Sequence, residues 1–162
     1  MGEDSGAVKD SRAEVRIQNS EFTNVSPTDL ETLVGRFLDR TLPKVEWTHQ
    51  AHLAVGAWHV DRYGPDEALT CLRGGIRALN DSHGTINSAS SGYHETITRA
   101  YVRLIAGFFA GCADLPLPER VAGLIGGSVG ERDALLRYYS RETLLSAQAR
   151  AEWVEPDVHP LP

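Results

Sequence analysis

Apolar positions recur at helical spacing along nearly the whole chain after residue 25, and no stretch shows the strict alternation of a half-buried strand. Leu30, Leu33, Val34, Phe37 and Leu38 form the first such set. Ser26-Pro27 ahead of them supplies an N-cap and a first-turn proline, so a helix is predicted to start there and to end before Pro43. A second helix is predicted from the N-cap Thr48 through Tyr63, stopping at Gly64, a residue suited to the left-handed C-terminal position. Pro65 then opens a third, to about Leu79, that turns Ala68, Leu69, Leu72 and Ile76 inward. Residues 80–92, rich in Asn, Ser and Gly, read as a loop. A strongly apolar fourth helix follows from Tyr93 to about Gly111, and Pro116 to Pro118 separate it from a shorter fifth around Glu119 to Ile125. After Gly126-Gly127, residues Glu131 to Tyr139 and Arg141 to Trp153 read as one or two further helices, with an extended tail from Pro156 to Pro162. The fold class is therefore all-α, a compact helical bundle of about five to seven helices in one domain over residues 25–162. Residues 1–24 are polar and aperiodic and read as a disordered arm.

Composition changes this picture mainly by exclusion. The chain has 162 residues, 41% of them hydrophobic, enough for one domain with a real core. Its formal charge of −6 and the lack of any Lys/Arg run leave no footprint for phosphate backbones or anionic lipid, so neither nucleic acid nor membrane is expected as a partner. Stretches such as Leu104 to Cys112 fall short of a bilayer span, and the N-terminus lacks the basic and apolar blocks of a signal peptide. A cytoplasmic location is the expectation. Cys71 and Cys112 sit within helical patterns and read as small buried hydrophobes. The apolar fourth helix permits a homodimer without requiring one. No P-loop, dinucleotide glycine fingerprint or GxSxG elbow is present.

The candidate chemistry lies in two short segments, Trp47-Thr48-His49-Gln50-Ala51-His52-Leu53 and Ser91-Gly92-Tyr93-His94-Glu95-Thr96-Ile97-Thr98, each at the start of a predicted helix. At about 100° per residue, His49, His52, Gly56, His59 and Tyr63 share one stripe of a helix that is otherwise apolar nearly all round, so the stripe is expected to face inward. Buried imidazoles need hydrogen-bond acceptors, a metal or a wet cavity. His49 and His52, three apart, can hold one ion together, and His94 from a packed helix can complete a three-histidine face with open positions for water and substrate. The expected cofactor is a divalent metal, with Zn, Fe, Mn, Ni and Cu all compatible with imidazole. Glu95 is either the proton-transfer group of such a site or half of a helix ion pair with Arg99, and Tyr93 shares that ambiguity. Gly56 admits either a ligand or a large packed side chain close to the backbone. His59, Thr98, Arg150 and Trp153 are candidate substrate contacts, with Trp153 alternatively a docking residue that pins the terminal helix.

The segments Leu42-Pro43-Lys44-Val45-Glu46-Trp47-Thr48-His49-Gln50-Ala51-His52-Leu53 and Gly92-Tyr93-His94-Glu95-Thr96-Ile97-Thr98 resemble a largely uncharacterised family of small bacterial proteins with WTHxAHL and GYHETIT signatures. The likeness continues into Tyr139-Ser140-Arg141-Glu142 and Ala149 to Asp157, and it implies a shared fold and site more than an activity. The chain also loosely resembles the DinB-like helical metalloproteins, which hold a divalent metal through three histidines. There, however, a single histidine precedes a pair spaced four apart, whereas here the pair comes first and is spaced three apart, so the likeness is one of architecture.

Three functions follow from these expectations. The favoured one is a metal-dependent enzyme acting on a small polar molecule, with Glu95 handling protons. The alternatives are a cofactor-free acid/base enzyme of isomerase or cyclase type using His94 with Glu95 or Tyr93, and a non-catalytic helical module that binds a small ligand.

Overall fold

The computed structural model describes residues 26–162, and the arm expected over residues 1–24 lies outside them. Helix α1, Pro27–Leu38, starts where local chemistry directs, with the Ser26 hydroxyl accepting the Asp29 N–H at 3.1 Å and a proline in the first turn. It buries Leu30, Val34 and Phe37, while Leu38 at the edge of its apolar stripe is exposed.

The second and third predicted helices are two halves of one long element, α2, His49–Ser82, interrupted at Gly64. Gly64 has φ +77°, a left-handed conformation that costs a glycine little, and Pro65 beside it has no N–H to carry the ladder across. The N-terminal half of α2 is buried on almost every side from Leu53 to Val60, which makes it the central post of the bundle. Helix α3, Glu95–Ala110, packs along both halves of α2, and α4, Leu117–Gly126, closes the far side through Val121 and Leu124. Phe37, Leu53, Val55, Ile105 and Leu124 belong to the main core these helices share.

C-terminal to α4 the chain does not form the long helices expected. It makes 3-10 turns at Ser128–Gly130 and Ala134–Arg137 and two short helices, α5 at Arg141–Leu144 and α6 at Ala147–Ala151. Two serines divide it: Ser140 caps α5 by accepting the Thr143 N–H, and Ser146 caps α6 by accepting the Ala149 N–H. Leu135, Tyr139 and Leu144 form a second small core against Ala100 and Leu104 of α3. The tail is tied back by Asp157, which accepts hydrogen bonds from the Ser140 N–H, the Ser140 hydroxyl and the Thr143 hydroxyl at 2.8, 2.6 and 2.7 Å. Those bonds favour the carboxylate and pull Asp157 down to about 2. The described residues are thus all-α and contain no strand, and no helix among them is long and apolar enough to cross a membrane.

Candidate functional site

A cavity of about 350 Å³ lies between α2 and α3. Leu53, Leu72, Ile76, Ile97, Val102 and Ile105 give it apolar walls from both helices. Its polar side chains are His49 and His52 in the first turn of α2 and Thr98 and Tyr101 in the first two turns of α3. Gly56 also lines it, and a Cβ there would stand 3.1 Å from Ile105 Cδ1, so the packed-side-chain reading of this glycine holds: it lets Ile105 of α3 approach the backbone.

Each polar group on the wall has a defined state. The His49 Nε2–H donates to the Gly130 carbonyl at 3.1 Å, which leaves Nδ1 as an acceptor, and the ring meets Tyr101 edge-on with centroids 5.7 Å apart. Burial pushes His49 below the ordinary imidazole value, against the pull of the Gly130 carbonyl, so it is neutral at pH 7. His52 is exposed at the rim and stacks on Trp47 at a centroid distance of 3.7 Å, its Nδ1–H donating to the Thr48 carbonyl. Thr98 donates to the His94 carbonyl at 2.8 Å. Tyr101 makes no side-chain hydrogen bond among the described residues, and burial raises it to about 12, with Asp133 adding to the shift.

The metal centre expected at His49, His52 and His94 is not formed: among the described residues no three His, Cys, Asp or Glu side chains come together as an ion would require. Hydrogen bonding is the reason. Helix α3 begins one residue after His94, so His94 turns back as its N-cap, with Nδ1 accepting the Ile97 N–H at 3.2 Å and the Nε2–H donating to the Leu144 carbonyl at 2.9 Å. Both nitrogens are spent, and the ring does not reach the wall that holds His49 and His52. The divalent cofactor, the metal-dependent enzyme and the metal-binding histidine cluster are corrected accordingly.

The Tyr93-His94-Glu95-Thr96 run instead braces the fold. Glu95 is buried and takes two hydrogen bonds from Arg73 of α2, at 2.6 and 2.9 Å, and one from the Tyr93 hydroxyl at 2.9 Å. Its partner is therefore Arg73, 22 residues back in the sequence, and not Arg99. The Arg73 guanidinium holds the Glu95 carboxyl below its usual value, burial opposes, and the Tyr93 hydroxyl adds to the lowering. Burial and the Glu95 charge raise Tyr93 to about 12, and the Thr98 hydroxyl pulls the other way. Thr96 donates to the Glu152 carbonyl at 2.7 Å and accepts the Val154 N–H at 3.1 Å, stapling the C-terminal segment to the start of α3.

Of the expected substrate contacts, Thr98 lines the cavity and the others lie elsewhere. His59 is buried against Phe37 and Trp58, its Nδ1–H donating to the Val55 carbonyl at 2.8 Å. Arg150 donates to the Gly92 carbonyl at 2.9 Å. Trp153 packs edge-on against Tyr139 with Arg99 and Arg103 over its ring, the docking role named as its alternative. Tyr101 is not among the candidates named from the sequence, although a tyrosine on the inner face of a helix must find a partner for its hydroxyl.

His49, His59 and His94 are all held below the ordinary 6.5, each first by burial. The unfolded chain then binds protons that the folded one refuses, so this stability is complete above about pH 6.5 and is lost as pH falls through that value toward the lower folded ones. Guanidinium midpoints should fall between about pH 7.5 and 5 for this reason. His94→Asn keeps a good N-cap for Ile97 but loses the Leu144 bond, so it should cost about 1 kcal/mol at the upper pH and show a shallower pH dependence. An unchanged slope would mean that His94 is not held neutral.

No protein-family model, curated protein or solved structure matches the chain.

Proposed function

We propose that the protein is a non-catalytic helical module that binds a small, mostly apolar molecule between α2 and α3. The observation that carries this reading is the cavity itself: about 350 Å³ with aliphatic walls and uncharged polar groups at one end. Protein interiors are close-packed, and a hollow of this size with aliphatic walls leaves dispersion contacts unmade that a fitting molecule would make. It lies at the lower end of the range of small-molecule pockets, and the gap between packed helices is a common place for one. An acid/base enzyme built on His94, Glu95 or Tyr93 has less support, since all three are engaged in the brace and none lines the cavity.

Calorimetric titration with naphthalene tests the reading. Saturable one-to-one binding with a negative heat-capacity change is expected, together with a raised melting temperature. Leu72→Phe adds volume to the wall and should remove binding while helicity is kept. No heat and no melting shift in the wild-type protein would reject the proposal.

A further inference from the structure

Resting on that reading, we infer that the cavity's occupant is a neutral molecule with an apolar body of about two rings and one hydroxyl group, held at Tyr101, Thr98 and His49. Size sets the body: an apolar cavity of about 150 Å³ is known to take benzene, and this one is about 350 Å³.

Charge sets the class. Among the described residues, no Asp, Glu, Lys or Arg lines the cavity. Of the charged groups nearby, Arg73 and Glu95 pair with each other, Arg150 is bonded to the Gly92 carbonyl, and Arg132 and Asp133, which act on His49 and Tyr101, are opposite in sign and stand off the cavity wall. His49, the one ring on the wall that is tied across to another element, is neutral with its Nε2–H given to Gly130. A carboxylate, a phosphate or an ammonium group would therefore give up hydration among these walls without meeting an opposite charge on them.

The hydrogen-bonding groups define the polar end. The Thr98 hydroxyl has donated its proton to the His94 carbonyl and has only lone pairs to offer. The His49 tautomer fixed by Gly130 offers Nδ1 as an acceptor. Tyr101 has an O–H with no partner among the described residues, and it stands edge-on to the His49 ring. The wall thus presents one donor, the Tyr101 hydroxyl, with acceptors on Thr98 and His49 and a further one, the His52 Nε2, at the rim. A ketone or ether would use the donor alone, whereas a hydroxyl uses both, taking the Tyr101 proton on its oxygen and giving its own proton to Thr98 or His49. Leaving a site's polar groups unpaired is what makes such pockets discriminate.

The test compares naphthalene, 2-naphthol and 2-naphthoate by calorimetry at neutral pH on the full chain. The naphthol should bind about tenfold tighter than naphthalene, and the naphthoate at least about a hundredfold weaker than the naphthol. Tyr101→Phe should abolish the preference, with the naphthol and naphthalene then binding the variant equally. Thr98→Val should weaken the naphthol preference in the same direction and provides a second variant should Tyr101→Phe fold poorly. Naphthalene and naphthol binding equally, the naphthoate binding best, or a preference that survives both substitutions would overturn the assignment and leave the cavity reading intact. Failure of naphthalene and naphthol alike would reject both.

Discussion

Replacing Glu95 with alanine is expected to lower the unfolding free energy by about 3 kcal/mol, near the bottom of the range for breaking a buried ion pair. Its carboxylate joins three elements: it accepts two hydrogen bonds from Arg73 of α2 and one from Tyr93 in the preceding loop, and it stands in the first turn of α3. Removing it leaves the guanidinium and the phenol hydroxyl without their acceptor. The Arg73 side chain is 37% exposed against 10% for Glu95, so water recovers part of the loss, which is why the figure is not larger. Guanidinium denaturation of Glu95→Ala, Arg73→Met and the double variant measures it; the double variant should be more stable than the sum of the two single losses implies, because no orphaned charge remains. The contribution is complete above the ordinary carboxyl value of 4.5 and fades as pH falls through the lower folded value. Naphthalene binding should survive in Glu95→Ala. A stability change below about 0.5 kcal/mol would place Glu95 among ordinary surface residues and defeat the brace.

Gly130→Ala should be nearly as damaging, by about 3 kcal/mol, for a different reason. Gly130 closes the 3-10 turn after α4, and a Cβ added there would overlap the Ile125 carbonyl oxygen. Backbone cannot swing aside as a side chain can, and the turn must move. That same turn presents the Gly130 carbonyl to His49, so the cavity wall is expected to loosen as well and naphthalene affinity to drop. Gly126→Ala, four residues earlier, is the control: among the described residues nothing lies within 4 Å of its Cβ position, and its stability should stay within about 0.5 kcal/mol of the parent chain. Equal behaviour of the two variants would remove the link between this turn and the wall.

The start and stop of the helices were legible because caps are local events. Ser26, Thr48 and the Gly64-Pro65 pair carry their signals within a few residues, and the structure uses each of them as read. The C-terminal helices were overestimated because Ser140 and Ser146 are also ordinary helix-surface residues, and only the bond each hydroxyl makes tells a cap from a passenger. The candidate site was less legible. Helical spacing brought the histidines to one stripe, yet the stripe runs from the exposed His52 to the buried His59 and does not face one cavity. An imidazole has two nitrogens, and spacing says nothing of which one a backbone carbonyl has already claimed. For His94 both were claimed, one by its own helix and one by Leu144, fifty residues on. The Arg73–Glu95 pair depends in the same way on how α2 and α3 meet, whereas Thr98 was legible because it shares the inner face of α3 with Tyr101 and Ile105.

Methyl-resolved NMR of the protein titrated with naphthalene tests the binding module most directly, because it reports where the molecule sits. The expected result is a set of saturating shifts at the methyl groups of Leu53, Leu72, Ile76, Ile97 and Ile105, with those of Leu30, Leu144 and Leu161 unmoved. Shifts that are absent, or that spread over the surface without saturating, would contradict a binding cavity between α2 and α3.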